Sequence, residues 1–115
     1  GGYIDLKKSA ARLFVDAARV LALAKGIAAS STIKRLERAA KQTGSAPEET
    51  AAIIDAFNFI QMLRLRHQHL EDEHGRPGDN LIQPDKLNPL DRRILKESFR
   101  QARKLQQKLK VMYQL

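Results

Sequence analysis

The stretch "SAPEETAAIIDAFNFIQMLRLRHQHLEDEHG", Ser45 to Gly75, decides the fold. Ile53, Ala56, Ile60 and Leu63 recur in steps of three and four, and the rhythm runs on through His67, Leu70 and His74. That period places them along one face of a helix. Ser45 and Glu48 have capping-box spacing, and Pro47 suits a first turn, where its missing N–H is not needed.

Upstream, Leu6, Ala10, Leu13, Ala17, Val20, Ala24 and Ile27 keep the same period, and Phe14, Ala18 and Leu21 widen the face. A wide apolar face predicts a central helix, which Gly26 ends. A shorter helix follows. Ser30 or Ser31 caps it, Ile33, Leu36 and Ala40 form its stripe, and Gly44 closes it. Downstream, "GRPGDNLIQPDKL", Gly75 to Leu87, holds two Pro and two Gly and forbids a helix. Its Leu81, Ile82 and Leu87 are expected to tuck against the bundle. The last helix opens with Asn88 as cap, Pro89 at the first position and Asp91 at the positive end of the dipole. Leu95, Ser98, Ala102, Leu105, Leu109 and Met112 form its seam over about 25 residues. No segment alternates with a period of two, so no sheet is expected. The fold class that follows is all-α: an antiparallel bundle of about four main helices, with a long Pro/Gly-containing connection before the last.

The chain has 115 residues, enough for one domain, residues 1–115. Aromatics are 5% and apolar residues 43%, so the core is aliphatic and alanine-rich. There is no cysteine, which excludes disulfides and cysteine zinc sites and fits a cytoplasmic protein. No apolar run approaches the ~20 residues that span a membrane. The start, "GGYIDLKKSA", has no signal-peptide character and lacks Met, as expected of a domain excised from a longer protein. The net charge is +8, and +6 of it lies from Pro89 onward: eight Lys/Arg against Asp91 and Glu97. An electrostatic partner should therefore meet the last helix.

Candidate chemistry is sparse. His67, Glu71 and His74 share a helix face, but without HExxH or Cys no metal site is expected. His67 reads instead as a satisfied, half-buried histidine, with Glu71 to His74 a solvated helix end. Arg64 and His69 have the Arg-x4-6-His spacing of HEPN-class ribonucleases, yet on a regular helix they diverge by about 140°. Gly44-Ser45 reads as a helix cap. No Gly-rich phosphate loop and no Ser-His-Asp arrangement is present, so no catalytic residue is assigned. Arg66 sits at the stripe's edge and needs a partner. Asp16 on the first helix is expected to pair with it across the bundle. Arg12, Asp16 and Arg19 also have intrahelical pairing distances. On the last helix Arg93, Lys96, Arg100, Arg103 and Lys110 make a basic stripe suited to phosphate. Bulk nucleic-acid binding is not expected, because stacking aromatics are almost absent from that face.

Three stretches together resemble a known family: "IDLKKSAARLFVDAARVLAL", "LRLRHQ" and "DNLIQPDKLNPLDRRILKESFRQARKLQ". The sequence is similar, from about Ile4 to Gln106, to the nucleotidyltransferase substrate-binding domain family. The run from Pro84 to Lys96, read as P-D-x-L-x-P-L-[DE]-R-x-x-L-K, is its most specific part. The resemblance implies a helical domain beside an upstream catalytic domain similar to that of protein-PII uridylyltransferase. Cyclic-nucleotide-binding-like and CBS domains would lie further upstream, in a signal-transduction protein. It implies a non-catalytic role in binding nucleotide or protein acceptor, no cofactor here, and Mg2+ in the catalytic domain. By position, Asp16, Arg19, Arg66, His67, Asn80, Arg93, Lys96 and Arg100 match the family's polar positions and are the expected substrate-binding set. The expected groove lies where the first and third helices meet the last, with Asp16 positioning the arginines. Two alternatives remain beside this one: a docking or homodimerising module, and an RNA-binding or HEPN-like ribonuclease domain.

Overall fold

The computed structural model describes residues 2–75 and 79–114. Arg76, Pro77 and Gly78, part of the expected non-helical connection, lie outside the described residues. Four α-helices form the antiparallel bundle: α1 Arg12–Lys25, α2 Thr32–Thr43, α3 Pro47–Glu73 and α4 Pro89–Tyr113. At about 1.5 Å per residue α3 is about 40 Å long, which accounts for the molecule's 45 Å long axis. Two ion pairs fix the opposite directions of α3 and α4. Lys108 Nζ meets Glu49 Oε1 at 3.0 Å at one end, and Arg66 Nη1 meets Asp91 Oδ2 at 2.8 Å toward the other.

Most of the core follows the predicted faces, but on α1 its centre is shifted to Phe14, Ala18 and Leu21, while Leu13, Val20 and Ile27 are half-buried and Ala24 is exposed. Phe14 and Leu6 are fully buried from the N-terminal segment, and Ile60 from α3, with Leu95 and Leu105 close behind on α4. Alanines at 10, 11, 17, 18, 39, 56 and 102 are buried between them and let the helices approach. Phe14 and Phe57 meet at 5.7 Å between ring centroids, tilted by 58°, and tie α1 to α3.

Helix ends follow local chemistry. Gly26 and Gly44 adopt left-handed φ of +66° and +67° just past α1 and α2. Ser31 Oγ accepts from Lys34 N–H, and Asn88 Oδ1 from Asp91 N–H. The Ser45–Glu48 capping box does not form. Ala46 precedes Pro47 at the start of α3, and the Ser45 hydroxyl turns 2.8 Å from Thr43 Oγ1 instead.

Three further expectations are corrected. A minimal sheet exists: strands β1 (Ile4–Asp5) and β2 (Leu81–Ile82) pair antiparallel, Ile4 opposite Ile82. Strand pairing needs only backbone partners, and two residues per strand are too few to show a period. The alternation of a strand also buries Ile82 while Leu81 stays 42% exposed. Second, the first helical segment is not uniform. Lys7–Ala11 is a π-helical turn leading into α1, its first N–H groups capped by Asp5 Oδ1. Third, the α3 seam stops at Leu63, since Leu70 and His74 extend past the helices that would cover them and are exposed. Met112 overruns α4's seam in the same way.

Candidate functional site

The connection between α3 and α4 decides the surface chemistry. β2 and the 3-10 turn Pro84–Lys86 run over the end of the bundle and leave a groove on each side. Asn80 anchors this run. Its side-chain oxygen accepts from Arg64 Nε at 2.8 Å, and its backbone oxygen from Leu6 N–H at 2.8 Å. Asn80, expected to bind substrate, therefore sits in a structural tie between α3, the connection and the N-terminal segment. Arg64 is engaged twice, since Nη1 also donates to Gln61 Oε1 at 2.7 Å. His69, its partner in a ribonuclease reading, faces solvent beside Glu73 at 3.1 Å, and neither residue lines a groove.

The first groove, about 650 Å³, lies between the end of α3 and the connection. Arg66 and His67 line it, with Tyr3, Glu71, Asp79 and Lys86. Its charges are largely matched. Arg66 is held by Asp91, and His67 Nε2–H donates to Asp79 Oδ1 at 2.8 Å with Glu71 Oε1 at 3.8 Å. Asp79 Oδ1 also accepts Leu81 N–H at 3.1 Å, so this network fastens the connection to α3. Among the described residues no group of three His, Asp or Glu could hold a metal ion.

The expected Asp16–Arg66 pair does not form. Asp16 is exposed on the side of α1 away from the buried Phe14, Ala17, Ala18 and Leu21, while Arg66 turns to α4. Among the described residues Asp16 thus positions no arginine. The intrahelical pairs of Arg12, Asp16 and Arg19 are also not made, and Arg19 is exposed on α1 away from both grooves.

The second groove, about 560 Å³, opens on the other side of the 3-10 turn. Ile4, Pro84, Pro89, Leu95 and Phe99 form its apolar lining, and Arg92, Arg93 and Lys96 its charged one. No acid among the described residues pairs with these three cations. Arg100 does not join them. It donates from Nε and Nη2 to both oxygens of Glu97, each at 2.9 Å. These bonds from Arg100, and a further one from Gln101, hold the Glu97 carboxyl down at about 2, while Glu97 raises the Arg100 guanidinium in turn.

The expected set is therefore spread over separate places: Arg66 and His67 in one groove, Arg93 and Lys96 in the other, and the remaining four outside both. Sequence reasoning left Arg92 and Phe99 out of the site, and it read Asp91 only as a helix-start acid rather than as the partner of Arg66. The first two had a signal, because Arg92, Lys96 and Phe99 follow one another by four and three along a helix face. Residues 1–113 match the family described as a putative nucleotidyltransferase substrate binding domain. The chain belongs to that family. The match spans both grooves and all four helices. No curated protein and no solved structure matches the chain. No helix among the described residues is long and apolar enough to cross a membrane.

Proposed function

We propose that this member of the substrate-binding family holds a phosphate-bearing substrate for a nucleotidyltransferase catalytic domain packed beside it in the cytoplasm, and performs no chemistry itself. One observation carries the reading: Arg92, Arg93 and Lys96 line one largely apolar groove, and among the described residues no acid lines it or pairs with them. Cations held without a counter-ion next to a dry surface are poised to bind phosphate oxygens. Arg66 and His67 are spent on Asp91 and Asp79, so the first groove serves to fasten the connection. Mg2+ belongs to the catalytic domain in this scheme; among the described residues no carboxylate lines the second groove.

The test is steady-state kinetics on the protein that joins this chain to its catalytic domain. Arg93→Glu with Lys96→Glu is expected to raise KM for one of the two substrates by about tenfold or more, the loss of at least one charge-assisted contact. Unchanged KM for both substrates, with melting temperature preserved, contradicts the proposal.

A second reading, domain docking or homodimerisation, has its own support. Leu65 on α3 is 73% exposed and Leu90 on α4 61%, with Met62 and Ile94 also exposed on these two helices. It predicts concentration-dependent sedimentation of the chain that Leu65→Glu with Leu90→Glu abolishes.

A further inference from the structure

The second groove also contains an aromatic ring, and the ring bears on which substrate the groove takes. We infer that the groove binds a nucleoside triphosphate, with the phosphates on Arg92, Arg93 and Lys96 and the base against Phe99, and that it does not select among bases. This rests on the reading of the groove as a substrate site and specifies its ligand.

Charge and spacing come first. Arg92 and Lys96 stand four residues, just over one helical turn, apart, about 6 Å along α4, with Arg93 beside them. A triphosphate chain is about as long, so its oxygens can meet all three cations together. A single carboxylate would match only one of the three charges. Phe99 follows one turn further along the same face, and it is only half-buried, so part of the ring is open to the groove. Pro84, Pro89 and Leu95 complete an apolar lining continuous with the ring. Stacking on an aromatic face accepts any base, because every base has a π-face. The volume of about 560 Å³ falls within the range of small-ligand sites, about 300–1,000 Å³.

Selectivity follows from what the lining lacks. Among the described residues every lining side chain is cationic or apolar, so none of these side chains offers an oxygen to the amino groups of a base. Base discrimination needs such partners placed at the base edge. The cations are engaged by phosphate. Choice of base must then come from outside this groove.

The experiment is calorimetric titration of the chain at low ionic strength with ATP, GTP, CTP, UTP and inorganic tripolyphosphate. The four nucleotides are expected to bind within about threefold of one another, and tripolyphosphate about tenfold more weakly for want of stacking. Phe99→Leu, which keeps the site apolar, is expected to bring the nucleotides down to the tripolyphosphate affinity while tripolyphosphate itself binds as to wild type, with the chain still folded despite the packing lost at this half-buried position. Arg92→Ala with Lys96→Ala is expected to abolish binding of all five. A preference above about tenfold for one base overturns the inference. If tripolyphosphate binds wild type as tightly as the nucleotides, the inference fails and the substrate-groove reading survives. If none of the five binds, both fall.

Discussion

Arg66 and Asp91 close the α3–α4 seam across 2.8 Å, yet the arginine is half exposed, so the pair is worth little. Arg66→Ala should lower stability by no more than about 1 kcal/mol in chemical denaturation. It should leave binding at the second groove unchanged, because Arg66 lines the first. Asn80→Ala should cost more, about 1–3 kcal/mol, by leaving Arg64 Nε, partly buried, without its acceptor. Glu97 supplies the pH-dependent case. Its folded value, about 2, lies below the ordinary 4.5, so the charged form is favoured in the folded state. The contribution is present above the ordinary carboxylate range and is lost as pH falls through about 2. Carbon NMR titration of the Glu97 carboxyl should give a midpoint near 2 in the wild type, and Arg100→Ala should move it up toward the ordinary value.

At the scale of the element, helix ends are where local chemistry is strongest. Gly26 has φ +66° and open space around its Cα, so Gly26→Ala meets no clash but must adopt a left-handed backbone. The expected loss is about 1 kcal/mol, read as a lower melting temperature, with Gly26→Asn milder. The same locality explains what could be read without coordinates. Gly26, Ser31, Gly44, Asn88 and Pro89 act on neighbours within four residues, and each stands where the sequence puts it. The Asp16–Arg66 pair failed for the opposite reason. It needed the rotation of α1 relative to α3, which no residue within either helix specifies. The period of three and four fixed which face of α4 is buried, and so left Arg92, Arg93 and Lys96 outside. It could not show that Pro84 and Ile4, distant in the chain, would wall them into a groove. The two-residue strands escaped for a related reason, because their pairing depends on Leu6 and Asn80 meeting through the backbone.

Across the whole molecule, an alanine-rich bundle holds a connection over one end, and that connection divides the polar surface into two unlike grooves. One has its Arg66 and His67 matched by neighbouring acids. The other keeps three cations beside an apolar wall. The most direct measurement is residue-resolved NMR titration of the chain with inorganic tripolyphosphate. Backbone amide shifts should concentrate at Ile4, Arg92, Arg93, Lys96 and Phe99 and saturate at one equivalent. Shifts centred on Arg66 and His67, or spread evenly along the basic side chains to Lys110, would contradict the account.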